Sequence, residues 1–320
     1  MTPQEYTFIK EALGEERMPF YYYKDKYALD LLRLLLHTND ELRISELKKS
    51  RFGSLLQKAP VKALLAQHGK AMLSKQDLDK HSNSEGRWFH YTFEEWGEYI
   101  PHRKDGWYQT TRPGVNLVLQ LNFDDFHNYI YHQLVKPEKE DHPFVYYSHP
   151  VKHKGSYTLA WARLDVSLDT GEVLIEEIQT DWLREVRYWV HHLERRIVAG
   201  ENLGRHWVLE GTTIHALREY YEHMARIYAN MWDEAMLSLA IHFGKEVLGL
   251  ERVFYHTFET GNYLKGLDQY MSKPPRSLYT KLPRRFGFTE TDEAPRLVKE
   301  EKYLKKKLRK EGLRWFELGV

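Results

Sequence analysis

The segment EEIQTDW, residues 176–182, carries the residue types of a chemical site. It follows an apolar run, as expected where a strand of an α/β protein ends and its functional groups begin. In an extended strand the side chains alternate between faces, so Glu177 and Gln179 share one face and Glu176 lies on the other. If the extended geometry continues, Asp181 joins Glu177 and Gln179. Two carboxylates and an amide in this order can accept a proton and orient a substrate.

The elements around this segment predict how it is positioned. Residues 157–166 and 173–179 are strand-like, and the turn SLDTG between them predicts an antiparallel hairpin. Helical periodicity follows over 182–248, interrupted by turn residues, and a short strand is predicted over 252–258. A strand, a helical crossover and a second strand imply a parallel pair. The predicted fold class is therefore α/β (α+β), with a mixed, largely antiparallel sheet and one parallel crossover.

Composition divides the chain into three regions. Residues 1–105 are mostly helical, and with the strand-like 88–93 they form either a winged-helix-like module or a helical cap on the main domain. Residues 106–290 form the α/β domain that carries the motif. Residues 291–320 are predicted to contain a basic C-terminal helix, because lysines crowd the stretch 299–310.

Bulk properties narrow the function classes. The 320 residues include 47 Lys and Arg against 46 Asp and Glu, so nucleic-acid binding would have to use a local basic surface, either 43–58 or 299–310. There is no cysteine, which excludes disulfides, thiolate metal sites and a cysteine nucleophile. No apolar run approaches the length of a membrane span, and no signal-like segment begins the chain. We expect a soluble cytoplasmic protein with no membrane contact.

The motif resembles the EIQSDW signature of an uncharacterised domain found in the large polyvalent proteins of phages and mobile elements. The resemblance covers roughly residues 106–290, and the family brings no established activity. Flanking segments that share it are 113–116, 162–164, 232–236, 257–261 and 279–283.

The order of elements also resembles the second half of a GCN5-related N-acetyltransferase. The resemblance implies that acetyl-CoA or a related CoA ester lies where the two parallel strands separate. It implies that Glu177 is the general base and that Tyr279 protonates the leaving thiolate, while Gln179 and Asp181 orient an unidentified acceptor. Candidate substrate-binding residues are Arg163, Trp182, Trp232 and His256.

The chain departs from that family at the helix that would hold the CoA pyrophosphate. The Gln/Arg-x-x-Gly-x-Gly/Ala loop is absent, and Asp233 stands near the start of the helix, where a carboxylate disfavours phosphate.

Three alternatives remain open. Asp165 and the Glu177-x-Gln179 pattern resemble the PD-(D/E)xK nuclease core, in which carboxylates bind Mg²⁺. A purely structural role would pair Glu177 and Asp181 with Arg163, Arg184 or Arg187, and Asp181 would cap the next helix. A non-enzymatic module that binds nucleic acid or protein is the third alternative. An open cleft lined by Glu177, Gln179 and Asp181 would support a site, whereas burial of their oxygens in ion pairs with Arg163 or Arg187 would contradict it.

Overall fold

The computed structural model describes most of the chain. The described residues are 1–14, 16–69, 71–80, 85–97, 109–137, 144, 149–153, 155–203, 206–267 and 274–320. The strands are β1 (Met18–Tyr22), β2 (Glu41–Arg43), β3 (Met72–Ser74), β4 (Arg87–Trp96), β5 (Asn116–Asn122), β6 (Lys152–His153), β7 (Ser156–Ser167), β8 (Glu172–Gln179), β9 (Arg252–His256), β10 (Thr289–Thr291) and β11 (Trp315–Leu318). The α-helices are α1 (Pro3–Leu13), α2 (Tyr27–Leu35), α3 (Ile44–Leu47), α4 (Ala59–His68), α5 (Lys75–Asp79), α6 (Asp125–Leu134), α7 (Asp181–Val198), α8 (Ile214–Ile227), α9 (Trp232–His242), α10 (Phe258–Lys265), α11 (Lys281–Arg285) and α12 (Arg296–Lys299).

A central sheet organises the fold in the order β1-β4-β5-β7-β8-β9-β11-β10, and β6 pairs with β7 at its side. Its strands pair antiparallel except for β8 and β9, which run parallel. The predicted hairpin is β7–β8, and the predicted parallel strand is β9, so the α/β fold class is confirmed. Helices α7, α8 and α9 form the crossover between the parallel strands.

Apolar side chains cover both faces of the sheet. One face presents alternating residues such as Leu164 and Ile175 to a large core, which helices α2, α7, α8 and α9 complete. The other face presents Leu174 and Phe254 to a smaller core under α10 and α12. Because both faces are covered, polar groups on the central strands are withdrawn from water and need internal partners.

The described part of the region 1–105 is joined to the rest of the fold through the same sheet. The strand-like segment 88–93, which could have completed a winged-helix-like module, lies instead within β4, between β1 and β5. The short strands β2 and β3 form a separate two-stranded sheet beside helices α3, α4 and α5.

Two cations of the basic segment 43–58 form contacts within the protein. Arg51 hydrogen-bonds Thr289 Oγ1 at 3.2 Å and the carbonyl of Gly319. Lys58 forms an ion pair with Asp25 at 3.1 Å. Two of the cations proposed for nucleic-acid binding therefore hold this region to its neighbours.

The predicted basic helix over 299–310 is wrong. The chain there forms the end of α12 and two 3-10 turns, Lys302–Leu304 and Lys307–Arg309, before β11. Leu304 is buried in the smaller core, and Lys307 Nζ donates to the carbonyl of Leu264 at 2.6 Å. These tertiary contacts override the helical propensity of the lysine-rich sequence.

No helix within the described ranges combines the length and the hydropathy that crossing a bilayer requires.

Candidate functional site

A β-bulge changes which face the motif residues occupy. Arg163 of β7 pairs with Glu177, whereas the next residue, Leu164, pairs with Ile175, so Glu176 is the extra residue on β8. Such a residue shifts the alternation of the strand. Ile175 and Ile178 consequently both face the large core. The prediction that Glu176 and Glu177 lie on opposite faces is wrong, because both side chains bind partners on the other face of the sheet.

Glu177 lies in a buried ion pair at the end of β8. Its carboxylate accepts hydrogen bonds from the guanidinium of Arg163 and from the amide of Gln179. Lys265 Nζ lies 3.8 Å from Glu177 Oε2. Burial raises the pKa of Glu177, but the charges of Arg163 and Lys265 outweigh burial and lower it below the ordinary value. This is the buried pairing with Arg163 that the structural alternative predicted, and it makes Glu177 a weaker base than the resemblance implies.

Glu176 belongs to a second buried network. Its oxygens accept from the backbone N–H of Thr111 at 2.9 Å and from Thr111 Oγ1 at 2.7 Å. His256 Nε2 lies 2.7 Å from Thr111 Oγ1 and 3.2 Å from Glu176 Oε2. Burial opposes the charge of Glu176, but the interactions with His256 and Lys265 prevail, and its pKa falls to about 2. Glu176 is thus a fully engaged carboxylate that ties the segment around Thr111 to β8 and β9.

Lys265, at the end of α10, joins the two networks. Its side chain is 2% exposed, and Nζ donates to the backbone carbonyl of Glu176 at 2.9 Å. This carbonyl lies just beyond Ile175, where the pairing of β8 with β9 ends. Burial lowers the pKa of Lys265, and the negative charge of Glu177 only partly offsets the effect.

Asp181 occupies the first turn of α7. Thr180, rather than Asp181, is the N-cap, and its Oγ1 accepts from the N–H of Leu183 at 3.5 Å. Asp181 accepts from Trp161 Nε1 at 2.8 Å and from Arg184 at 2.5 Å, and its side chain is fully buried. It holds β7 to α7, as the structural alternative predicted for a pairing with Arg184.

The tryptophan of the motif packs in the core of the protein. Trp182 is fully buried, and its Nε1 donates to Tyr220 Oη at 2.8 Å. Tyr220 Oη also lies 2.7 Å from His127 Nε2. Burial lowers the pKa of His127 to about 3, so its ring is neutral and Nε2 accepts a hydrogen bond from the Tyr220 hydroxyl. Trp182 does not line the cavity described next, and the structure does not support a contact with substrate.

A cavity of about 980 Å³ lies at the end of β8, between that strand, helices α7 and α8, and the turn Arg276–Tyr279. Its volume is at the upper end of the range for ligand pockets. The predicted site residues on its wall are Glu177, Gln179, Tyr279 and Trp232. The other predicted site residues, Arg163, Asp181, Trp182 and His256, do not line it. Arg163 and Asp181 contact wall residues through their pairings with Glu177 and Arg184.

Two polar atoms of the wall have no partner. Within the described chain, Gln179 Oε1 and the Tyr279 hydroxyl are buried and accept or donate no hydrogen bond. Unsatisfied buried polar groups are uncommon in proteins because each one costs about 1–3 kcal/mol. Both residues line the cavity, but the two atoms are closed to solvent, so a ligand there satisfies them only after a movement of the side chains. Burial and the charge of Glu177 raise the pKa of Tyr279 well above its ordinary value, so the hydroxyl keeps its proton.

The carboxylates of the nuclease alternative are occupied by cations of the chain itself. Asp165 lies on β7 and accepts from Arg112 at 2.7 and 3.0 Å, and from the amino group of Met1. Glu177 is bound by Arg163. Among the described residues, no three or more His, Asp or Glu side chains are grouped to hold a metal ion.

Sequence reasoning missed Lys265 and Thr111. Both lie far from the motif along the chain, and no pattern of residues 176–182 indicates them. A buried lysine at the end of a short helix has only a weak signal, namely its position just before Gly266. The bulge has no signal in the sequence, since it depends on the register between β7 and β8.

Comparison with family models, with curated proteins and with solved structures found no match for this chain. The resemblances to the EIQSDW domain and to N-acetyltransferases therefore stay predictions.

Proposed function

We propose that the protein is an acyltransferase that binds a coenzyme A-type thioester in the cavity at the end of β8. One observation carries the proposal. The parallel strands pair only as far as Ile175 and Tyr255, and the cavity lies beyond that point. The resemblance to N-acetyltransferases implies a thioester donor in that position.

The residues of the cavity suit such a ligand. A thioester supplies an activated carbonyl group whose acyl carbon an acceptor can attack. Among the described residues of the wall, the buried atoms without a hydrogen bond are the Tyr279 hydroxyl oxygen and the Gln179 amide oxygen. The hydroxyl can donate to a carbonyl oxygen, and the amide oxygen can accept from an acceptor N–H.

Lys265 is a better proton donor to the leaving sulfur than Tyr279. A thiol of ordinary acidity has a pKa of about 8.5. Burial lowers the pKa of Lys265 toward that value and raises the pKa of Tyr279 away from it. Proton transfer is most efficient when the pKa values of the donor and the acceptor are close to each other. We therefore assign proton donation to Lys265 and orientation of the carbonyl group to Tyr279, which revises the role first expected for the tyrosine.

Glu177 and Lys265 together balance the protons. Glu177 accepts the proton that the acceptor amine loses when its nitrogen bonds to the acyl carbon, and a weak base suffices because that nitrogen is then acidic. Lys265 gives its proton to the sulfur as the carbon–sulfur bond breaks. Return of the proton from the Glu177 carboxyl to the Lys265 amine restores both groups, and at 3.8 Å between Oε2 and Nζ this transfer runs through one bridging water.

The test is the release of free thiol from acetyl-CoA, with hydroxylamine as a surrogate acceptor. We expect release above the background, lowered on the order of a hundredfold in Lys265→Met. Lys265→Arg keeps the charge but cannot release its proton, so we expect the same loss. Lys62→Met, at an exposed position of α4 away from the cavity, is the matched control and should leave the rate unchanged.

A donor with a more acidic thiol separates catalysis from folding. An aryl thioester needs less help from a proton donor, so the difference between wild type and Lys265→Arg should shrink with it. A difference of the same size with both donors would contradict the role of Lys265. The proposed function itself fails if the wild type releases no thiol above background and calorimetry with millimolar CoA shows no heat.

A further inference from the structure

The outer face of α7 forms a groove of about 710 Å³ that adjoins the cavity. Arg184 and Arg187 line both the groove and the cavity, whereas Tyr188 and Arg195 line the groove alone. A ligand longer than the cavity would therefore leave it along this helix face.

The groove carries unneutralised positive charge. Arg184 forms ion pairs with Asp181 at 2.5 Å and with Glu185 at 3.8 Å. In the described chain, no carboxylate pairs with Arg187 or with Arg195. These two arginines are eight residues apart, which corresponds to about 12 Å along a helix.

The carboxylate of the groove does not cancel this charge. Glu194 is bound by Arg218 of α8 at 2.8 Å, and it lies 3.6 Å from His191. The charge that remains available to a ligand is thus that of arginines, whose planar guanidinium suits phosphate oxygens.

An aromatic ring lies between the two arginines. Tyr188 is 49% exposed, and one side of its ring stacks on His192 with 5.6 Å between ring centroids and 18° between planes. The stacking holds the ring in place, and its exposed surface is available to a planar base.

From these contacts we infer that the groove binds the nucleotide end of the donor, with phosphate groups at Arg187 and Arg195 and the adenine ring on Tyr188. This inference rests on the proposed function for the identity of the ligand. It also explains how a chain without the glycine-rich pyrophosphate loop can hold a coenzyme A thioester. The phosphates are bound by side chains of α7 instead of the first turn of α9.

The test uses a probe without the reactive end. Calorimetry with adenosine 3′,5′-bisphosphate should show binding to the full-length wild type. Arg187→Gln should weaken the binding of this probe and of CoA about tenfold, the loss expected for one charge-assisted hydrogen bond. Arg226→Gln removes an exposed arginine of α8 that lines neither space, and it should have no effect. Acetyl-pantetheine has no nucleotide, so Arg187→Gln should lower its rate of thiol release by a smaller factor than it lowers the rate with acetyl-CoA.

Three results would overturn the inference, and a fourth would support it while contradicting the proposed function. Equal effects of Arg187→Gln and Arg226→Gln would mean that only general charge matters. Thiol release from acetyl-pantetheine without any binding of the bisphosphate would support the proposed function and contradict the groove as the nucleotide-binding site. If a ten-nucleotide RNA binds through Arg187 and the bisphosphate does not, the groove is a polynucleotide surface. Bisphosphate binding that depends on Arg187, with no thiol release from any donor, supports the groove and contradicts the proposed function.

Discussion

Replacing Arg163 by methionine tests whether the ion pair at the end of β8 is as buried as the structure shows. The side chains of Arg163 and Glu177 are 1% and 6% exposed. Exposed pairs contribute about 0–1 kcal/mol, whereas breaking a buried pair costs about 3–5 kcal/mol, because one charge stays buried without its partner. In Arg163→Met, Glu177 still has Lys265 at 3.8 Å and the amide of Gln179 as partners. We therefore expect a loss of unfolding free energy at the lower end of the range for buried pairs, about 3 kcal/mol.

A double-mutant cycle isolates the pair from the lost packing of the arginine stem. Arg163→Met and Glu177→Gln should each destabilise the fold. Together they should cost about 1–3 kcal/mol less than the sum of the single losses, because the second substitution removes the charge that the first had left unpaired. Urea unfolding followed by tryptophan fluorescence at pH 7 measures all three variants.

The pH dependence gives an independent check with a definite sign. In the wild type the pKa of Glu177 is lowered, so the stability from this group is present above the ordinary carboxyl pKa and is lost as pH falls through the lowered value. Without Arg163, burial acts with less opposition and the pKa rises. The carboxyl then takes up a proton more easily in the folded state, and the penalty of Arg163→Met should shrink between pH 7 and pH 5. A loss below about 1 kcal/mol that does not change with pH would refute the buried pair, since that is the behaviour of a solvent-screened one.

Two further predictions concern the fold around the site. Burial lowers the pKa of His127 to about 3 from 6.5, so stability from this group is complete above pH 6.5 and decreases as pH falls. From pH 7.5 to pH 5 we expect a loss of about 2 kcal/mol in the wild type that His127→Phe lacks, as measured by urea unfolding at both pH values; equal slopes would contradict it. Gly287 and Gly200 have similar positive φ angles, +78° and +76°, but an added Cβ would lie 2.3 Å from Phe52 only at Gly287. Gly200→Ala should cost about 1 kcal/mol and Gly287→Ala about 1–3 kcal/mol more, and thermal unfolding that finds equal losses would contradict the close packing of Phe52.

The bulge changes the reason for testing Glu177 before Glu176. Simple alternation singled out Glu177 and assigned Glu176 to the opposite face. In the structure Glu176 has four polar contacts in its own network and no surface on the cavity, whereas Glu177 lines the cavity. Glu177 therefore remains the residue to test for chemistry, for a different reason.

Much of the fold could be predicted because its signals are local. The alternating pattern and turn of 157–179 predicted the hairpin, and the amphipathic period of 182–198 predicted α7. A strand, helices and a strand in sequence predicted the parallel pair. The helix predicted over the lysine-rich segment 299–310 was wrong because only its local propensity is helical. Burial of Leu304 and the packing of β11 against β9 are long-range effects that this propensity does not reflect.

The motif 176–182 by itself determined that polar groups collect where a strand ends and a helix begins. Only the tertiary structure decided which of them face a cavity and which are neutralised. The register between β7 and β8 inserts Glu176 as a bulge and selects Arg163 from the candidate partners of Glu177, and chain segments far from the motif bring Thr111 and Lys265 to the two carboxylates. Such charges are set by distances in space between residues remote in sequence, and buried electrostatic interactions depend on those distances and on the exclusion of water.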